Sequence, residues 1–189
     1  MNRSTLAAVL CLSMAGPALA ASKNPDVADT SFDTPDGART LQQSIVIDAP
    51  VATLWKAFTD PTEFKRWNSP VAAIDMRVGG SMEVSYNPKA SLGDPDNIRH
   101  RLITFLPDRL IVFQNVQAPH ALPNADRFQR TVSVIQYEAL GPTRTKVTLS
   151  CTGWAKDPAS VQLYHFFETE NPEVLETWKH LYETRPKAP

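Results

Sequence analysis

The feature that most constrains the fold of this chain is a series of six strand-like runs between residues 71 and 152. A period of two in apolar and polar residues places successive side chains on opposite faces of a sheet. The runs follow one another without an intervening helical pattern, which favours antiparallel pairing of chain neighbours. We therefore expect a meander. The runs are VAAIDMRV, SMEVSY, IRHRLITFL, LIVFQNVQA, FQRTVSVIQYEAL and KVTLSCTGW.

A strand and a helix precede this series. The run TLQQSIVID (40–48) is rich in β-branched residues, which predicts a strand. After it, apolar residues recur at i, i+3, i+4 and i+7, the spacing of one helix face. These residues are Val51, Leu54, Trp55 and Phe58. We expect Trp55 and Phe58 to be core residues that pack under the sheet.

A second helix start follows directly. Asp60 suits the cap position, Pro61 the first helical position, and Glu63 stands three residues after the cap. The new helix carries Phe64 and Trp67 on one side. The sequence therefore predicts a helix, a corner and a short helix.

The C-terminal segment, residues 157–184, returns to helical spacing. Asp157 and Pro158 mark its start. Pro172 lacks the N–H that an α-helix requires, so we expect a kink or a split there. Its two apolar patches are Leu163, Phe166 and Phe167, and then Val174, Leu175, Trp178, Leu181 and Tyr182.

This order of elements predicts an α+β fold with the arrangement β-α-α-β6-α. A seven-stranded antiparallel sheet with one apolar face must be covered, and the long C-terminal helix is the element large enough to cover it. One helix is only about 10 Å wide, so a curved sheet wrapped around it leaves a hollow. We expect the short helix pair to close one end of that hollow.

The same residues resemble a known family. The family is that of homologues of the heat-shock-protein-90 ATPase activator, within the START-like (SRPBCC) helix-grip superfamily. The resemblance covers Gln42 to Tyr182 and depends on the order of dispersed motifs. These motifs are IDAPVATLWKAFTDPTEFKRWNSP, DMRVGG with Met82 after it, FLPDRLIVF, the hairpin into VTLSCTGW, and NPEVLETWKHLYE at the end of the last helix.

The resemblance implies a helix-grip fold with a hydrophobic ligand cavity. Two positions depart from the pattern, because Asn68 and Asn115 stand where members often have aromatic residues. The chaperone-activating role of the family belongs to cytosolic partners. An exported protein would not meet those partners.

Export is the expectation from the first residues. Residues 1–20 combine Arg3, a short apolar stretch and a small-x-small motif before Ala20, which is typical of a cleaved signal peptide. We expect a periplasmic or secreted protein without a stable membrane anchor after cleavage. The remaining divisions are a flexible lead-in (21–39), a START-like domain (40–184) and a tail (185–189).

Several function classes are disfavoured by the sequence. Lys and Arg number 19 against 20 Asp and Glu, so no basic stripe indicates nucleic acid. The four histidines are scattered, and no metal, dinucleotide or phosphate-loop motif occurs, so we expect neither metal nor cofactor. Cys151 remains alone after signal cleavage and is expected to be a small buried hydrophobe.

Candidate ligand contacts follow from placement near element ends and on strand faces. The cavity-wall candidates are Trp67, Trp154, Met82, Tyr86, Phe113, Tyr137 and Phe167. The polar cavity candidates are Asp75 and His100, with Glu83 and Arg101 as further strand residues whose direction alternation leaves open. No catalytic residue is assigned.

We expect an exported helix-grip domain that binds a small hydrophobic or amphipathic molecule between the sheet and the last helix. Two alternatives stay open at this point. One is an enzyme of the same fold, of hydrolase or cyclase type, which would need inward polar groups within hydrogen-bond reach of one another. The other is a chaperone-related protein-binding module, which would need a large exposed apolar patch.

Overall fold

One antiparallel sheet organises residues 24–183, the part of the chain that the computed structural model describes. The expected signal peptide and tail lie outside the described residues. Within them the strands are β1 (Ala28–Asp29), β2 (Phe32–Asp33), β3 (Arg39–Ile47), β4 (Val71–Ile74), β5 (Ser81–Ser85), β6 (Ile98–Leu106), β7 (Leu110–Gln117), β8 (Val132–Gly141) and β9 (Arg144–Trp154). The helices are α1 (Val51–Thr59), α2 (Pro61–Phe64), α3 (Ala125–Phe128) and α4 (Pro158–Glu183).

The sheet confirms the predicted meander. Strands β4 to β9 each pair with the next, and β9 also pairs with β3. Strands β3 and β4 are consecutive in the chain but lie far apart in the sheet, and α1 and α2 connect them. Helix α4 packs against β3 and β9. The fold is the α+β helix-grip architecture.

Residues 24–39, which fall in the stretch expected to be a flexible lead-in, include the short strands β1 and β2. Strands β1 and β2 pair with β3, so the sheet has nine strands within the described residues where seven were expected. The Thr30 amide donates to the Gln42 carbonyl at 2.9 Å, and Lys179 on α4 pairs with Asp26 at 2.7 Å. Two-residue strands with exposed side chains carry no periodic signal, which is why sequence patterns miss them.

The predicted helix pair is confirmed down to its cap. Both the Thr62 and Glu63 amides donate to the Asp60 carboxylate, at 2.8 and 3.2 Å. Pro61 occupies the first position of α2. These bonds satisfy amides that the first turn of a helix leaves free, and they fix the corner between α1 and α2.

The predicted turn before β5 also depends on its glycines. Gly79 has φ +77°, a conformation that side chains disfavour. A Cβ on Gly80 would lie 2.2 Å from the Asp75 carbonyl oxygen. The Gly79 amide donates to the Leu102 carbonyl at 2.8 Å, so the turn is held against β6.

Helix α4 begins at Pro158 as predicted but continues without a break through Pro172. Proline has no N–H to donate to the carbonyl four residues earlier, that of Glu168. The Gln43 side-chain amide on β3 donates to this Glu168 carbonyl at 3.0 Å. A strand side chain therefore replaces the missing helical hydrogen bond, and the expected split does not occur.

We expect Q43L to lower the free energy of unfolding by about 1–3 kcal/mol, because the part-buried Glu168 carbonyl loses its donor. In a P172A background, the new backbone N–H of residue 172 can donate a hydrogen bond to the Glu168 carbonyl. The loss caused by Q43L should then shrink by about 1 kcal/mol. Urea unfolding of the four proteins measures both effects.

The control is Gln42, whose amide donates to Ser150 Oγ at 3.0 Å and not to α4. The cost of Q42L should be the same with proline or alanine at position 172. An equal loss from Q43L in both backgrounds would show that Gln43 does not compensate for Pro172.

Candidate ligand cavity

A cavity of about 690 Å³ lies between the sheet and α4. Its walls come from α1 and α2, from strands β5 to β9, from the segment after β7, and from α4. Most of the lining side chains are apolar. They include Phe58, Phe64, Trp67, Met82, Val84, Ile98, Phe113, Leu122, Phe128, Ile135, Val147, Leu149, Phe166, Phe167, Val174, Leu175 and Trp178.

Two stacked tryptophans form the wall at the helix-pair end. The rings of Trp67 and Trp178 lie 4.5 Å apart at 12°, and Phe58 contacts both rings. Trp67 Nε1 donates to the Ala57 carbonyl at 2.9 Å, which fixes the indole between α1 and α4. Trp67 is thus a core residue and a cavity-wall residue together.

A row of side chains crosses the cavity face of three adjacent strands. Met82 on β5 lies opposite His100 on β6, which lies opposite Asn115 on β7. All three side chains line the cavity and are buried. The His100 ring contacts Phe113 edge-on at 4.9 Å. The row places two polar residues in an otherwise apolar floor.

The amide of Asn115 has a fixed orientation. Its Nδ2 donates to the Gln117 carbonyl at 2.8 Å and to the Arg99 carbonyl at 3.2 Å. Because both partners are acceptors, this end of the amide must be the NH₂ group. The Oδ1 atom is buried and accepts no hydrogen bond from any described residue.

His100 is neutral at ordinary pH. Burial lowers its pKa from 6.5 to about 4, since a charged ring would lose its hydration without gaining a carboxylate. Its Nδ1 atom is buried and has no hydrogen-bond partner among residues 24–183. The ring therefore offers one unused donor or acceptor.

The cysteine in the cavity wall is unsuited to nucleophilic chemistry. Burial raises the pKa of the Cys151 thiol to about 11, although hydrogen bonds to Thr131 and Ser133 act in the opposite direction. The thiol donates to Thr131 Oγ1 at 3.1 Å. The sequence expectation of a small buried residue is confirmed.

The mouth of the cavity is lined by exposed side chains. Tyr86 and Phe166 are both largely exposed, and Tyr86 Oη lies 3.3 Å from Asn68 Oδ1. Glu170 and Glu173 on α4 also line this end. The ionised side chains that line the cavity among the described residues are therefore both carboxylates.

Glu83, which sequence alternation left undecided, holds the loop between β5 and β6. Burial acts to raise its pKa, but hydrogen bonds from Asn97 and Gly93 and the charge of Arg99 outweigh burial and lower the pKa overall. The carboxylate accepts from Asn97 Nδ2 at 2.7 Å. Arg101, on the same sheet, is exposed. Neither residue lines the cavity.

Six of the nine candidate residues lie on the cavity wall. They are Trp67, Met82, Tyr86, Phe113, Phe167 and His100. Trp154, Tyr137 and Asp75 do not line the cavity, and each placement has a physical reason.

A bulge places Trp154 on the cavity face of the sheet, but its side chain packs outside the cavity. Gly153 has φ +90°, and the pairing of β9 with β3 skips this residue. The extra residue returns Trp154 to the face that carries Leu149 and Cys151, whereas regular alternation would place it on the opposite face. There it packs with Phe128, Tyr164 and Phe167 in a second core cluster, outside the cavity.

Tyr137 and Asp75 also lie outside the cavity, for simpler reasons. Tyr137 is buried beyond the cavity, where its ring contacts Trp55 at 5.7 Å and Trp178 at 6.1 Å. Asp75 lies after β4 in the turn and pairs with Arg77 at 2.7 Å on the surface. Alternation gives the face of a strand but not the position at which the cavity ends.

Sequence reasoning missed several wall residues, most importantly Phe58, Asn115 and Trp178. Phe58 and Trp178 were assigned to helix faces that pack in the core, and they do pack there, but they also border the hollow. Asn115 had a signal that could have found it. It stands where the resembling family often has an aromatic residue. Among residues 24–183, no group of three or more His, Cys, Asp or Glu side chains could hold a metal ion.

We expect the protein to lose stability as the pH falls from about 6.5 towards 4 because of His100. The unfolded chain binds a proton in this range, while the folded chain does not until the pH approaches the folded pKa. The variant H100Q should lose less stability over the same range. Urea unfolding at pH 7, 5.5 and 4.5 measures the difference.

The exposed His120 provides the control, since H120Q leaves the buried ring unchanged. Its stability should fall with pH as in the parent protein. If H100Q and the parent protein have parallel pH profiles, His100 is not buried in a neutral state.

Comparison with known proteins identifies the family. The family described as "Activator of Hsp90 ATPase homolog 1-like protein" matches residues 48–181. No curated protein sequence matches the chain.

Solved structures of similar fold include the Aha1 dimer from Colwellia psychrerythraea, with a TM-score of 0.61, 16% identity, and 77% of this chain and 96% of that chain covered. CalU16 from Micromonospora echinospora has a TM-score of 0.61, 19% identity and coverage of 85% and 86%. An HSP90 activator from Plasmodium falciparum has a TM-score of 0.50, 14% identity and coverage of 69% and 88%. The chain belongs to the Activator of Hsp90 ATPase homolog 1-like family.

Proposed function

We propose that this protein is an exported binding protein that holds a small hydrophobic or amphipathic molecule in the cavity between the sheet and α4. The observation that carries the proposal is the cavity itself, with about 690 Å³ of space and a mainly apolar lining. Sites for small ligands in proteins have about this volume and this character.

The chemistry of the cavity favours binding over catalysis. The Cys151 thiol stays protonated because burial raises its pKa. The charged lining residues in the described chain are Glu170 and Glu173, both exposed at the mouth. No carboxylate in residues 24–183 bonds to the His100 ring, so the constellation of an activated nucleophile is not assembled there.

The proposed location outside the cytoplasm rests on the sequence of residues 1–20. None of the helices in residues 24–183 is both long enough and apolar enough to cross a membrane. Similar structures include an HSP90 activator, but a fold shared at 14% identity does not carry that activity to this chain. An exported protein would not meet a cytosolic chaperone, so a small ligand is the proposed partner.

We expect T177W to weaken the binding of Nile red, an uncharged apolar dye, by about tenfold or more, a loss of roughly 1.4 kcal/mol. Thr177 is exposed on α4 and lines the cavity, so an indole there narrows the mouth without disturbing the core. Fluorescence titration of the dye measures the affinity.

T169W is a closely matched control. Thr169 is also exposed on α4, and each threonine hydroxyl donates to the carbonyl four residues earlier, at 3.0 Å for Thr169 and 2.8 Å for Thr177. Thr169 does not line the cavity. Absence of saturable dye binding to the parent protein, or equal losses in both variants, would contradict the proposal.

A further inference from the structure

The aromatic residues of this chain are concentrated around the cavity. The sequence has 16 Phe, Trp and Tyr residues, all within residues 24–183, and nine of them line the cavity. Of the 32 Leu, Ile and Val residues in the same range, eight line it. Hydrophobicity alone would distribute both kinds of residue alike, since both favour the interior. The nine are Phe58, Phe64, Trp67, Tyr86, Phe113, Phe128, Phe166, Phe167 and Trp178.

Eight of these rings form a continuous series together with His100, which is neutral at ordinary pH. Each ring centroid lies within 6.2 Å of the next one in the series. All nine side chains line the cavity, and we call the series the aromatic wall. Its order is Phe64, Trp67, Trp178, Phe58, Phe113, His100, Phe128, Phe167 and Phe166.

The aromatic wall runs from one point on α4 to another. It leaves the helix at Trp178, passes through α1, β7, β6 and α3, and returns to the helix at Phe167. Residues 167 and 178 are separated by about three helical turns, or roughly 16 Å along the helix axis. A ligand between α4 and the sheet therefore meets rings at both ends of this distance.

The rings present both faces and edges. The planes of Trp67 and Trp178 are nearly parallel, at 12°, whereas Phe166 and Phe167 meet edge to face at 79°. Phe166 is 46% exposed and Phe167 is part-exposed, and both line the cavity. Ring surface is thus accessible to a ligand at this end of the wall.

An aromatic ligand gains more from such a wall than a saturated ligand of the same skeleton. Ring faces are partly negative and ring edges partly positive, so offset-stacked and edge-to-face pairs are stabilised beyond the burial of their area. A saturated ring gains only from the burial of area. No Lys or Arg of residues 24–183 lines the cavity, so an anionic group on the ligand would have no cationic partner in its lining.

We propose that the ligand is an uncharged, flat molecule of fused aromatic rings that packs against the aromatic wall. This inference rests on the proposed function and narrows it from hydrophobic molecules in general to one ligand class. It separates aromatic molecules from aliphatic chains and from saturated ring systems.

The first test compares ligands of one carbon skeleton on the unchanged protein, by displacement of Nile red at pH 7.5. Naphthalen-2-ylmethanol and its fully hydrogenated analogue share the skeleton and the hydroxyl group. We expect the naphthalene alcohol to bind about tenfold more tightly, because only this alcohol forms aromatic pairs with the wall. Burial of hydrocarbon alone predicts the opposite order, since hydrogenation adds apolar surface.

Two further ligands complete the set. Naphthalene-2-carboxylate should bind about tenfold more weakly than the naphthalene alcohol, because its charge has no partner in the lining. Undecan-1-ol carries the same number of carbon atoms in a flexible chain and reports the binding of hydrophobic molecules in general.

The outcomes separate this inference from the proposed function. If the hydrogenated alcohol binds as tightly as the naphthalene alcohol, the cavity binds hydrophobic molecules but the aromatic inference is wrong. If the carboxylate binds more tightly than the alcohol, the ligand is not restricted to uncharged molecules and the inference is also wrong. If neither the dye nor any of the four ligands binds, the proposed function itself fails.

The second test removes one ring of the wall. Phe167 lies on α4, and its ring is 4.6 Å from that of Phe128. F167L keeps an apolar side chain without a ring. The advantage of the naphthalene alcohol over its hydrogenated analogue should fall by about threefold, while the affinity for undecan-1-ol stays within about twofold. An unchanged advantage in a folded F167L would overturn the assignment, and if F167L does not fold, the ligand comparison on the unchanged protein decides the question.

Phe105 provides a matched control. It is also part-exposed, and its ring lies 6.4 Å from that of Trp55, as the ring of Phe167 lies 5.9 Å from that of Trp154. Phe105 does not line the cavity. F105L should therefore keep the full advantage of the naphthalene alcohol, and an equal loss in both variants would show that the preference does not arise at the aromatic wall.

Discussion

The packing of α4 across the sheet is the interaction on which the rest of the structure depends. It covers the apolar side chains of β3 and β9 directly, but one helix cannot fill the full width of a nine-stranded sheet. The helix pair and the segment after β7 cover the remainder incompletely. The cavity is therefore a geometric consequence of the architecture, and the Trp67–Trp178 stack forms one end of it.

The side chains that border the cavity are of two kinds, apolar and polar. Most lining residues are ordinary core residues that pack on one side and face the hollow on the other, as Phe58 does. His100 and Asn115 are different, because they bring polar atoms into a mainly apolar wall. Asn115 uses its Nδ2 group to hold the carbonyls of Arg99 and Gln117 where the pairing of β6 with β7 changes register.

The sequence predicted the features that local physics determines. Strand periodicity, the Asp60 cap and the Gly79–Gly80 turn follow from residues close together in the chain, and the structure contains all of them. The failures depend on distant contacts. Trp154 lies outside the cavity because it packs against Phe128 and Phe167, and β1 and β2 pair with the edge of β3. Of the two polar residues that line the cavity on β6 and β7, His100 was a predicted candidate, whereas Asn115, opposite it on β7, was not.

The bond from Gln43 to the Glu168 carbonyl has a consequence for how this protein reaches its native state. A peptide with the sequence of α4 alone contains Pro172 and lacks the strand amide, so its backbone cannot satisfy every carbonyl by itself. The continuity of the helix therefore depends on a contact between two residues that are 125 positions apart in the sequence. Long-range contacts of this kind slow folding, because distant segments must meet before the contact stabilises either of them. Helix α4 is therefore completed by a side chain of β3, the first long strand of the described residues.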